Sequence, residues 1–225
     1  MMRNRILVGG ALLVLAMMAC SLPGMGTPPP IAGPGGEGGK PGVLFQDDFS
    51  NPQSGWEVGE YDAGKVGYGN GYYYVISHGG GNTMWGVANR SFTDMVIEVD
   101  ATQVSAPANN NTDYGVICRT KDPDSGMGYY LLISGDGYYA IAKGTDAGFE
   151  WLVDFTESSA IRQGNATNHI RAVCSGSKLS LTVNGVLVAE AEDSEFNSGD
   201  IALTATSYES TPTEVRFDNL VVTAP

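Results

Sequence analysis

Apolar and polar residues alternate along most of this chain. Met95, Ile97, Val99 and Ala101 fall on one face of a run whose other face carries Glu98, Asp100 and Thr102. A period of two is the signature of a half-buried β-strand. Leu179, Leu181 and Val183 alternate with Ser180 and Thr182, and Asn184-Gly185 then turns the chain back into residues 186–190. Both turn residues tolerate positive φ, so this spacing predicts a two-residue β-hairpin. Ser134-Gly135-Asp136-Gly137 joins strands expected at 129–133 and 138–143 in the same way. Further strands are expected at 72–76, 83–88, 113–119, 151–155, 170–175, 201–206 and 215–222. From Val43 onward no window of ten or more residues repeats its apolar positions every 3.6 residues. About a dozen strands exceed what an immunoglobulin-type sandwich holds. The pattern predicts an all-β domain over 43–225, an antiparallel jelly-roll sandwich of two sheets.

The N-terminus reads differently. Arg3 and Arg5 precede an uncharged apolar run from Ile6 to Ala19, 14 residues long. A membrane-spanning helix needs about 20, so residues 1–19 have the form of a secretory signal. The run ends in Ala19-Cys20, which resembles the lipobox of bacterial lipoproteins, with Met17 where that pattern usually has Leu. The resemblance implies acylation of Cys20 and attachment to the bacterial cell envelope, facing outward. Residues 21–42 contain 8 Gly and 6 Pro. Such a stretch buries nothing that offsets the entropy of ordering, and a disordered tether over 20–42 is expected.

Charge narrows the partners. With 12 Lys+Arg against 25 Asp+Glu the chain carries −13, and loss of Arg3 and Arg5 with the signal moves this to −15. A nucleic-acid binder needs a basic surface to displace counterions from phosphates, so nucleic acid is not expected. Anionic headgroups repel such a surface, so the membrane would be held through lipid alone. With Cys20 set aside, Cys118 and Cys174 remain, both on apolar strand faces. They are either a disulfide or two separate buried thiols; an even pair in an oxidising compartment favours the bond.

A set of short motifs occurs in order: Asp47-Asp48-Phe49-Ser50, Ser54-Gly55-Trp56, Tyr114-Gly115-Val116, Asp136-Gly137-Tyr138-Tyr139, Val183-Asn184-Gly185 and Phe217-Asp218-Asn219-Leu220. Together they resemble the concanavalin A-like, laminin-G-type jelly-roll superfamily, and within it the bacterial branch labelled keto-disaccharide hydrolase domains. The resemblance spans 44–223 and implies the same fold. It also implies a structural Ca²⁺ between the first and last strands, where Asp47 or Asp48 and Asp218 would supply the hard oxygen ligands that ion takes.

Three functions compete: a non-catalytic carbohydrate-binding module, an oligosaccharide hydrolase, and a protein-binding adhesion module. Glu98-Val99-Asp100 is similar to the catalytic strand of laminarinase-type glycosidases, but retaining hydrolysis needs a second carboxyl group about 5–5.5 Å away. The positions where it would fall hold Thr102 and Gln103. There is no Gly-x-Ser-x-Gly elbow, and His78 and His169 are the only histidines, too few for a histidine-rich metal site. Carbohydrate binding fits better, because aromatic rings stack on pyranose faces while a few polar groups take the hydroxyls. The expected set is Glu98, Asp100, Arg119, Tyr130, Tyr138 and Trp85, with Glu98 and Arg119 sharing a solvent-facing groove and Gly115 leaving room for a poly- or oligosaccharide.

Overall fold

The computed structural model describes residues 42–225, which form fifteen β-strands and no helix. The expectations for the signal segment, Cys20 and nearly all of the linker lie outside the described residues. In chain order the strands are β1 (Val43–Asp47), β2 (Gly59–Tyr61), β3 (Gly64–Tyr68), β4 (Tyr73–Ser77), β5 (Asn82–Phe92), β6 (Met95–Ser105), β7 (Thr112–Thr120) and β8 (Gly128–Ser134), then β9 (Tyr138–Thr145), β10 (Gly148–Glu157), β11 (Thr167–Ser175), β12 (Lys178–Val183), β13 (Val186–Glu192), β14 (Gly199–Ser207) and β15 (Thr213–Thr223). Nine form one sheet in the order β13-β12-β11-β6-β15-β4-β3-β2, with β1 beside β15; six form the other in the order β10-β9-β8-β7-β14-β5. This is the two-sheet antiparallel sandwich that the alternation predicts.

The two inner faces meet in one apolar cluster. Met95, Ile97, Val99 and Ala101 of β6 join Tyr114, Val116 and Cys118 of β7 and Tyr129, Leu131 and Ile133 of β8, all fully buried. Each such side chain contributes about 1.5–3 kcal/mol on leaving water. Cys118 and Cys174 are bonded, with Cα atoms 6.7 Å apart. Because Cys118 lies on β7 and Cys174 on β11, the bond links one sheet to the other. Asn184 and Gly185 both take positive φ, 50° and 85°, as the hairpin between β12 and β13 requires.

A second, smaller cluster lies on the outer face of the six-stranded sheet. Trp85, Val87, Ile117, Tyr130, Leu132, Ala142 and Ala202 pack there, with Phe149 against them. Trp85 and Tyr130 are each 2% exposed. These two rings do not take the binding roles expected of them: they face outward from the sheet as alternation requires, but their neighbours cover them.

Gly115 also departs from expectation. A Cβ placed there would come within 2.2 Å of the Leu131 carbonyl oxygen, so the space beside this glycine is taken by β8 and not by a ligand.

Candidate functional site

One depression combines a ligand-sized volume with exposed rings. It encloses about 470 Å³ at the end of the six-stranded sheet where β8 turns into β9, and its walls include Tyr138, Trp151, Phe155 and Tyr208. These are the four large aromatic side chains left exposed among the described residues, at 37–40% each. Ser134, Asp136, Asp154 and Asn111 supply the polar lining.

Strand geometry explains the convergence. Tyr138 opens β9 after the turn at Gly137, whose φ is +100°, and it points to the same outer face as Ala140 and Ala142. Strand β10 carries Phe149, Trp151 and Phe155, and its register against β9 slips between Trp151 and Val153 and again between Val153 and Thr156. The rings form a ladder: Tyr130 to Phe149 at 4.9 Å between centroids, Phe149 to Trp151 at 5.6 Å, and Trp151 to Phe155 at 4.9 Å. The exposed platform therefore grows out of the covered cluster. On the inner side of β9, Lys143 Nζ lies 3.0 Å from Glu150, 3.0 Å from Asp193 and 2.9 Å from Glu195, which fixes β10 one residue from Trp151. Its hydrogen bonds, led by that to Glu195, push the lysine pKa above its usual range.

Tyr208 is held from below. Its hydroxyl donates to Asp113 Oδ2 at 2.6 Å, and Asp113 is 2% exposed, with Oδ1 lacking a hydrogen-bond partner. Burial pushes the Asp113 carboxyl up to about 6, although hydrogen bonds from Tyr208 and Thr206 pull the other way. Burial, and then the charge of Asp113, likewise raise the Tyr208 phenol above its ordinary value.

Of the expected binding residues, Tyr138 alone lines this depression. Glu98 and Asp100 lie on the outer face of the nine-stranded sheet, on the far side of the molecule from it. There Glu98 Oε1 accepts from Arg171 Nε at 3.1 Å, and Asp100 pairs with His169 Nδ1 at 2.8 Å and with Asn219 Nδ2 at 3.0 Å.

Arg119 does not reach a solvent-facing groove at all. It is 1% exposed. It donates to the carbonyls of Thr93 (2.8 Å), Gly176 (2.8 Å) and Phe196 (2.9 Å) and to Asp94 Oδ1 (2.9 Å). Its φ of 58° sits in a bulge where Asp200 pairs with Thr120 but Ala202 with Ile117, and the extra residue breaks the alternation that pointed the side chain outward. No groove is shared by Glu98 and Arg119.

Of the carboxylates expected to hold calcium, Asp47 and Asp48 line a second depression together with Asn219, Leu220 and Val221, and each accepts hydrogen bonds from its own turn. Asp47 Oδ1 accepts from the Phe49 N–H at 2.8 Å and Oδ2 from Ser54 Oγ at 2.5 Å; Asp48 Oδ1 takes the Ser50 N–H at 3.0 Å; Asp218 Oδ1 takes the Asn219 N–H at 2.6 Å. Among the described residues no group of three or more His, Cys, Asp or Glu side chains is arranged to hold a metal. These acids satisfy turn and bulge donors. Asp218 and Asn219 mark the bulge at which the edge of β15 passes from β4, paired with residues 213–217, to β1, paired with 220–223.

Trp151, Phe155 and Tyr208 were not among the expected residues. Trp151 and Phe155 alternate with Glu150 and Asp154 on one strand, which marks the two rings as one face of that strand but by the two-residue period would direct that face into a core. Nothing comparable marks Tyr208, which follows the last residue of β14.

Comparison with known proteins agrees with this architecture. Residues 42–223 match the model of the 3-keto-alpha-glucoside-1,2-lyase-like domain, and the chain belongs to that family. Among solved structures it is similar to the carbohydrate-binding module CBM66 from Bacillus subtilis, at 19% identity and a TM-score of 0.54, over 76% of this chain and 96% of that one. It is also similar to the β-glucanase of Bacillus licheniformis, at 13% identity and a TM-score of 0.60, over 83% of this chain and all of the other. A protein of unknown function with a galectin-like fold from Bacillus subtilis aligns at 10% identity and a TM-score of 0.61, over 81% of this chain and 96% of that one. No curated protein matches the chain. These likenesses define a jelly-roll domain of the concanavalin A type.

Proposed function

We propose that the protein is a non-catalytic carbohydrate-binding module, held at the outer surface of a bacterial envelope by an acylated Cys20 and a Gly/Pro-rich tether. The saccharide sits in the depression walled by Tyr138, Trp151, Phe155 and Tyr208. The gathering of these four exposed rings in one place carries the reading, because pyranose C–H faces stack on such surfaces and scattered exposed rings would not form a site. The Cys20 anchor rests on the sequence pattern alone, and palmitate-analogue labelling that Cys20→Ala abolishes is its test.

For the site, a glycan array followed by calorimetry on the full chain identifies the ligand. Trp151→Ala then weakens binding at least tenfold, about 1.4 kcal/mol, while the melting temperature stays within a few degrees, since the ring is partly exposed. Binding unchanged in Trp151→Ala removes this site.

One observation favours a lytic reading: the Tyr208–Asp113 pair, in a chain whose family is described by a lyase. Elimination needs a group to take a proton beside a carbonyl, and Asp113 reaches the depression only through the Tyr208 hydroxyl. Incubation with a 3-keto-disaccharide separates the two readings. Turnover that Tyr208→Phe abolishes establishes the lyase; absence of product at high protein concentration leaves the binding module.

A further inference from the structure

The polar lining of the aromatic depression restricts which saccharide fits, and this inference rests on the carbohydrate-binding reading above. Tyr208 commits its proton to Asp113, and Ser134 Oγ donates to Asp136 Oδ1. Toward a ligand both hydroxyl oxygens therefore accept. Asp136 and Asp154 add carboxylates, and neither takes part in an ion pair among the described residues. Among the described residues no Lys, Arg or His lines the depression. Lys143 is already surrounded by Glu150, Asp193 and Glu195. Arg162, on the neighbouring loop, donates to the Thr167 carbonyl at 3.0 Å. The remaining donors toward a ligand are uncharged: the Asn111 amide, the Trp151 indole and the Tyr138 hydroxyl.

Two carboxylates outside any ion pair among the described residues, beside four exposed rings, suit an ammonium group. It brings three donors to acceptor oxygens, and its charge is attracted both by the carboxylates and by the ring faces. A uronate would place a third negative charge in the same space with no cation to meet it. We propose that this depression selects saccharides bearing a free amino group, of the glucosamine-oligomer type, over neutral and acidic glycans.

Calorimetric titration of the full chain at about pH 6 tests the selection, with four tetrasaccharides as probes: glucosamine, N-acetylglucosamine, glucose and galacturonate. The glucosamine tetramer binds about five- to tenfold tighter than the acetylated or neutral tetramers, the scale of one or two solvent-exposed ion pairs, and galacturonate binds weakest. The gap narrows in about 0.5 M salt, where the screening length falls well below 10 Å. The double variant Asp136→Asn/Asp154→Asn closes the gap by weakening the glucosamine tetramer at least fivefold more than the glucose tetramer. Equal affinity for the glucosamine and acetylated tetramers overturns the proposal, as does a gap that survives the double variant. A lysine tetrapeptide binding as tightly as the amino sugar also overturns it, by showing that charge alone is read. If the glucose tetramer binds without any gap, the selectivity fails and the binding module stands; if no saccharide binds, both fail.

Discussion

Two buried ionisable side chains do opposite things to this domain. Arg119 serves three carbonyls and one carboxylate from the β5–β6 turn, the β11–β12 turn and the segment before β14. Removing it leaves those carbonyls unpaired, at about 1–3 kcal/mol for each that water does not reach. Arg119→Ala therefore lowers stability by about 3 kcal/mol or more in urea denaturation. Arg119→Gly is less damaging by up to about 1 kcal/mol, because glycine takes φ near +58° without the Cβ penalty. A Gly variant no more stable than the Ala variant would show that the bulge carries no strain.

Asp113 is a cost rather than a support. Its carboxyl is raised from 3.8 to about 6, so the folded state binds the proton more tightly than the unfolded chain. Its contribution is then most favourable below about pH 4 and is lost as pH rises through 6, by about 3 kcal/mol in all. Asp113→Asn, which keeps an acceptor for Tyr208, removes that loss. The variant gains stability over the wild type at pH 7.5 and loses the advantage at pH 4. Taking the difference between the two proteins cancels the opposite trend from Asp193, whose pKa is lowered. A constant difference across that range would place the proton elsewhere.

At the scale of the element, alternation made most of the sandwich legible. Twelve of the fifteen strands follow from it, because a strand with one face in the core must alternate. The missing three are β1, β2 and β3, which are at most five residues long. In β2 and β3, glycines at 59, 64 and 67 stand where alternation needs side chains. The rule also failed where a bulge intervened: at Arg119 it reversed the face. It is silent on a further point, whether an outward side chain stays exposed. Trp85 and Tyr130 point away from the inner core as expected, yet Phe149 of β10 helps cover them, and that depends on where an edge strand lies. Gly115 makes the spacing between β7 and β8 testable. Gly115→Ala forces the Leu131 carbonyl away, with an expected loss of 1–3 kcal/mol, the scale of overpacking, and earlier hydrogen exchange along both strands. Unchanged stability would mean that the pair has slack.

At the scale of the whole molecule, one covalent bond closes the sandwich. The Cys118–Cys174 link encloses 55 intervening residues, worth about 4 kcal/mol in chain-entropy models. Cys118→Ala/Cys174→Ala shifts the urea midpoint down accordingly, and adding reductant to the variant has no further effect. The same bond has a mechanical meaning. The chain enters the nine-stranded sheet through β1, whereas the aromatic depression lies on the six-stranded sheet. Under the proposed anchoring through Cys20 and saccharide binding at Trp151 and Phe155, any pull between cell and glycan loads one sheet against the other. The tendency is to shear the layers apart across an interface held by side-chain interlock and by a few polar links, such as Asn168 Nδ2 to Tyr114 Oη and Arg119 to the Gly176 carbonyl. The disulfide lies across that load path, so reduction would weaken the grip of the domain under flow or traction before it changed affinity in still solution.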